Sequence, residues 1–91
     1  MANTFTNLTY HIVFSTKGRR ALITTALEPK LHKYIGGIIR ELDGSLLEIN
    51  GTRDHVHLLV KLPPKLAVSD ALQIVKANSS KWVNKNKTPL H

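Results

Sequence analysis

Asp54-His55-Val56-His57-Leu58-Leu59-Val60 sets two histidines one residue apart inside a run that otherwise reads as a buried strand. Successive side chains of a strand point to opposite faces, so His55 and His57 share one face, roughly 7 Å apart along the chain. Val56, Leu58, Val60 and Leu62 take the other face. One face can therefore enter a core while the other presents two imidazoles, the side chains most often used to bind transition metals.

Just before this run, Ser45 to Asn50 reads as a short strand, with Leu47 and Ile49 alternating against Leu46 and Glu48. Asn50-Gly51 is a hairpin signal, and Thr52-Arg53 lengthen the turn. Pro63-Pro64 closes the histidine strand on its far side. Nearer the start, Thr6 to Thr16 alternates Leu8, Tyr10, Ile12 and Phe14 against Thr9, His11 and Val13. This is a half-buried strand with Lys17-Gly18-Arg19-Arg20 as a basic turn after it.

Between these strands, Leu27, Leu31, Tyr34, Ile35, Ile38, Ile39 and Leu42 recur at three- and four-residue steps. The spacing predicts a helix from about Ala26 to Asp43, opened by Thr25 with Glu28 as a capping box and stopped at Gly44. Gly36-Gly37 in its interior costs up to about 1 kcal/mol per residue relative to alanine. The pair is read as letting the helix sit close to a sheet, with a kink as the alternative. A second helix is capped by Ser69 with Asp70, steps its apolar side through Leu72, Val75, Ser79, Trp82 and Val83, and gives way to a frayed tail over 84–91.

The order strand, helix, strand, strand, helix is that of a ferredoxin-like α+β sandwich lacking its fourth strand. In the usual sheet order of that fold the first and third strands are neighbours. His11 should then share the face of His55 and His57, and the outer edge of the first strand is left to pair with another chain.

Ninety-one residues make one small domain. No apolar run approaches the roughly 18 residues of a membrane span, and Met1-Ala2-Asn3-Thr4 lacks the order of a signal peptide. The sequence contains no cysteine, which excludes disulfides and thiolate metal sites and agrees with a cytoplasmic setting. Thirteen Lys and Arg against six Asp and Glu give a formal charge of +7. Such an excess suits phosphate neutralisation, so nucleic acid is the expected partner. Lys17, Arg19, Arg20, Arg53, Lys76 and Lys81 are the candidate DNA contacts, and Trp82 suits core packing better than base stacking.

Two imidazoles alone do not make a tight metal site, because a catalytic ion usually has three protein ligands and an open position. Asp54, His11 and Gln73 are candidates for the third. Asp54 is adjacent to His55, so strand parity turns it away unless the turn redirects it. Taken alone, two histidines in this spacing equally describe a polar sheet surface.

The segments Tyr10-His11-Ile12-Val13-Phe14-Ser15-Thr16-Lys17, Asn50 through Val60, Val68-Ser69-Asp70 and Lys76 through Trp82 together resemble the single-tyrosine HUH transposases. These are the small enzymes of the simplest insertion sequences, and they include the REP-associated tyrosine transposases. The resemblance runs over essentially the whole chain, with the hydrophobic HxH after Asp as its most specific motif. It implies a ferredoxin-like fold, a homodimer, and single-stranded DNA with hairpin ends as substrate. It also implies a divalent metal, Mg²⁺ or Mn²⁺, held by His55 and His57. In that family a tyrosine hydroxyl attacks the scissile phosphate and stores the bond as a phosphotyrosine, while the metal offsets developing charge. The family's nucleophilic tyrosine lies on a helix beyond the fourth strand. Tyr10 and Tyr34 are the tyrosines present here, and both fall on core-facing positions. The resemblance thus implies a truncated transposase domain that binds metal and DNA without cleaving or joining DNA alone. The rival reading is a basic nucleic-acid-binding module, a regulatory remnant that needs no metal.

Overall fold

Alternation around the two histidines is realised as β3, His55–Leu62, the central strand of a three-stranded antiparallel sheet. The structure is a computed structural model and describes residues 8–16 and 23–86. On one side β3 pairs with β1, Leu8–Ser15, and on the other with β2, Ser45–Gly51, giving the order β1-β3-β2. Helix α1, Glu28–Glu41, links the two outer strands, and α2, Val68–Asn86, follows β3. This is the split β-α-β arrangement of the ferredoxin-like α+β class, with three strands among the described residues.

One face of the sheet carries the core. Val56, Leu58, Val60 and Leu62 are buried there with Ile12, and Tyr10 and Phe14 pack against them. Leu31, Ile35 and Ile39 of α1 and Ala71, Val75 and Val83 of α2 close over that face. Both helices bury one stripe at four-residue steps, as 3.6 residues per turn requires. Tyr34 of α1 stacks on Trp82 of α2, ring centres 5.6 Å apart and planes 25° from parallel. The predicted packing roles of Tyr34 and Trp82 hold. Leu8 was grouped with the core face but is half exposed, because it lies at the end of an edge strand.

Several boundaries differ from the sequence reading. Helix α1 begins at Glu28, and its start shows no side-chain cap; the turn before it is held by Thr24, whose Oγ1 accepts the Leu27 N–H at 3.1 Å. The Thr25–Glu28 capping box does not form, since Thr25 still lies in that turn. At the other end, Asp43 takes the left-handed conformation (φ 64°), and Gly44 N–H reaches the Ile39 carbonyl at 2.9 Å. Gly44 ends the helix through a close approach: a Cβ there would stand 2.7 Å from the Lys61 carbonyl oxygen. Gly36 and Gly37 make no such approach, for an added Cβ meets nothing nearer than 3.6 Å, and α1 runs unbroken through both.

Ser69 and Asp70 lie inside the first turn of α2, where the Ala67 carbonyl accepts from Asp70 and Ala71. Asp70 still suits the positive end of the helix dipole. At its far end α2 runs through Asn84, Lys85 and Asn86, so the expected fraying of 84–91 fails for these three. Residues 87–91 lie outside the described residues.

In β2 the pairing shifts between Leu46 and Glu48. Leu47 is the extra residue of a β-bulge, and it reverses the parity expected for Leu46 and Leu47 while Glu48 and Ile49 keep theirs. Leu46 and Ile49 therefore pack on the core, and Leu47 is exposed.

Candidate metal and nucleic-acid site

The face of the sheet that neither α1 nor α2 covers is the histidine face. Register pairs Ser15 with His55, Val13 with His57 and His11 with Leu59. On the opposite edge Asn50 pairs with His57, and Glu48 with Leu59. Residues paired across strands share a face, so His11, Glu48 and Asn50 all surround His57. The rings of His55 and His57 lie 6.5 Å apart between centres, and those of His11 and His57 5.6 Å apart. The sequence parity that grouped His11 with the HxH pair is realised.

The β2–β3 turn fixes His55. Thr52 N–H donates to the His55 carbonyl at 3.1 Å, and the Thr52 hydroxyl donates to Asp54 Oδ1 at 2.9 Å. The same oxygen lies 2.5 Å from His55 Nδ1. Asp54 precedes the strand, so its carboxylate is free of strand parity and curls back onto the imidazole. The Asp54 carbonyl also accepts Thr16 N–H at 2.8 Å, which ties the end of β1 to the turn. A carboxylate on Nδ1 sets the tautomer and leaves Nε2 as the donor atom, the arrangement that supports metal-binding histidines.

Of the candidate third ligands, Asp54 is committed to His55 Nδ1. Gln73 is exposed on α2, across the sheet from the histidines. His11 lies on the right face beside His57. Among the described residues no group of three His, Cys, Asp or Glu is placed to hold a metal ion. Metal–imidazole bonds of about 2.1 Å put two rings on one ion at most roughly 6.5 Å apart between centres. The His55–His57 spacing sits at that limit, and no hydrogen bond restrains the His57 ring among the described residues. Rings that far apart would meet one ion only from opposite sides, so a shared ion would need the His57 ring to turn and oxygen ligands to complete the site.

The candidate DNA contacts are scattered. Arg53 is exposed in the turn beside His55, its carbonyl accepting Ile23 N–H at 3.0 Å. Lys76 and Lys81 are exposed on α2, in the helical layer and on different flanks of the helix. Lys17, Arg19 and Arg20 lie outside the described residues. Tyr10 pairs with Val60 on the core face and Tyr34 stacks in the helical layer, so neither hydroxyl is on the histidine face. Sequence reasoning missed Glu48 and Asn50. The antiparallel register across the Asn50-Gly51 hairpin was the signal for both, since Asn50 stands opposite His57 and Glu48, two residues before it, shares its face.

Comparison with known proteins places the chain in a family. A family model described as "Transposase IS200 like" matches residues 4–91. Transposases for insertion sequence element IS200 from Salmonella typhimurium LT2 and Salmonella typhi are each 36% identical over 84 residues, covering 88% of this chain and 53% of theirs. The chain thus spans about half the length of the curated relatives it matches. A crystal structure described as a candidate transposase from Deinococcus radiodurans R1 superposes with a TM-score of 0.84 at 21% identity, covering 93% of this chain and 65% of that one. No helix among the described residues is long and apolar enough to cross a membrane. On the extent of the family match and the identity to the IS200 proteins, the chain belongs to the IS200-like transposase family.

Proposed function

We propose that these 91 residues form the metal- and DNA-holding part of a DNA transposition protein, with hairpin-ended single-stranded DNA as substrate. His55 and His57 would hold a divalent ion, Mg²⁺ or Mn²⁺. The observation that carries this reading is the pair of imidazoles on an open sheet face, one of them oriented by Asp54 through Nδ1. Imidazole is not the ligand Mg²⁺ prefers, so the site should bind weakly until phosphate oxygens join it. Once bound, such an ion neutralises charge developing on a scissile phosphate.

The chain's own residues would do the rest. Asp54 orients the His55 ring through Nδ1, and Arg53, next to it in the turn, offers a cation to the backbone of an approaching strand. Neither tyrosine is on the histidine face, so covalent cleavage is not expected from this chain alone. A second copy could pair with the outer edge of β1 to make a homodimer, and a cytoplasmic location follows from the same reading.

Mn²⁺ titration followed by electron paramagnetic resonance tests the assignment. The wild type should bind, more tightly with a hairpin-ended oligonucleotide present, and His55→Ala with His57→Ala should not. Equal Mn²⁺ binding by both proteins would refute the metal role. A covalent DNA adduct that survives denaturation would refute the non-cleaving role. The binding-module alternative draws on the lack of a third ligand among the described residues. It requires the double variant to keep its DNA affinity and salt dependence unchanged.

A further inference from the structure

Most acidic residues on this basic chain have a local partner or place. Glu28 faces His32, Asp43 faces Lys65, Asp54 holds His55, and Asp70 lies in the first turn of α2. Glu41 is on α1, in the helical layer. Glu48 is different. It is exposed on the histidine face, without an ion pair among the described residues. With His11, Asn50, His57, Leu58 and Leu59 it lines an open depression of about 380 Å³. That is at the small end of the roughly 300–1,000 Å³ of small-molecule sites.

A carboxylate here repels phosphate, so an occupant of the depression must bring hydrogen-bond donors to it. Resting on the histidine reading above, we propose that the depression is a nucleobase subsite. It takes a guanine of the single strand whose phosphate lies at His55 and His57, and Glu48 reads the guanine's Watson–Crick edge. Guanine is the DNA base with two adjacent donors on that edge, N1–H and the 2-amino group, and a carboxylate accepts both at once. Adenine and cytosine set a ring nitrogen acceptor beside their single amino donor, and thymine flanks its one N–H with carbonyls. Each of these turns a lone pair toward Glu48. Leu59, paired with Glu48 on one side and His11 on the other, gives the base an apolar floor. The His11 and His57 rings, 5.6 Å apart, supply faces for stacking. Asn50, opposite His57, adds an amide within the same depression.

The test uses hairpin-ended oligonucleotides whose thymine tails carry one guanine, inosine, adenine or cytosine, stepped through the tail. Binding is read by fluorescence anisotropy with Mn²⁺ present. At one tail position guanine should bind roughly tenfold or more tighter than the other bases. Inosine, which lacks the 2-amino group, should lose most of that advantage. Glu48→Gln should abolish the preference while the circular dichroism spectrum and melting temperature stay at the wild-type values, which reports that the variant is folded. Equal binding of every tail by the wild type would overturn the subsite and leave the histidine reading standing. So would a guanine preference that survives in Glu48→Gln, or a uniform tightening on all tails. No binding of any tail, with or without Mn²⁺, would overturn both.

Discussion

His55 Nδ1 and Asp54 Oδ1 lie 2.5 Å apart, although the two residues are sequence neighbours and would point to opposite faces in a regular strand. The contact exists because Asp54 belongs to the turn, where Thr52 also donates to the same oxygen. Orienting partners of this kind typically change metal affinity by 10–100-fold when removed. Asp54→Ala should therefore weaken Mn²⁺ binding by about that factor and leave His57 in place. Electron paramagnetic resonance titration of the variant checks it, and an unchanged affinity would show that Asp54 has no part in the site.

The two faces of β3 should respond oppositely to truncation. Leu58 is fully buried against both helices, so Leu58→Ala should cost about 2–5 kcal/mol and unfold much of a chain this small. His57→Ala removes a side chain from the open face and should change stability by less than about 0.5 kcal/mol. Urea unfolding of both variants tests the sidedness directly.

Ser79 is buried in the stripe of α2 that packs inward, and its hydroxyl has no hydrogen-bond partner among the described residues. An unsatisfied buried polar group costs roughly 1–3 kcal/mol. Ser79→Ala removes that cost with almost no change of volume. A gain of about 1 kcal/mol is expected, which at this size raises the melting temperature by roughly 4–8 °C. Differential scanning calorimetry reads the shift, and a lowered melting temperature would refute the explanation.

Glycines in and after α1 should separate in the same measurement. A Cβ at Gly37 meets nothing closer than Arg40 Nη2 at 3.9 Å, so Gly37→Ala should stabilise by up to about 1 kcal/mol through helix propensity. At Gly44 the Cβ would stand 2.7 Å from backbone oxygen. Gly44→Ala should destabilise, since the Lys61 strand cannot retreat without breaking the sheet.

DNA binding should depend on Arg53 more than on the two lysines of α2. Arg53 is exposed in the turn that leads into His55, whereas Lys76 and Lys81 are in the layer behind the sheet. Arg53→Ala should lower affinity and reduce the salt slope by about one. Lys76→Ala or Lys81→Ala should do less. Equal losses in all three variants would place the DNA across both layers.

Much of this protein was set by local pattern. Period-two alternation through His55, His57 and Leu58 put imidazoles and core on opposite faces, and three- and four-residue spacing through Leu31, Ile35 and Ile39 made the first helix. Element order then implied the β1-β3-β2 sheet. These features follow from the backbone's two repeat geometries, which a sequence shows directly. What tertiary structure decided was everything that depends on departures from those repeats or on distant partners. The bulge at Leu47 turned Leu46 into the core, the turn brought Asp54 onto His55, and register across two strands set His11 beside His57. Gly44 looked like a helix stop and is one, through a contact with β3 that periodicity does not show. Such relationships depend on where a second segment lies, and periodicity within one segment carries no information about that.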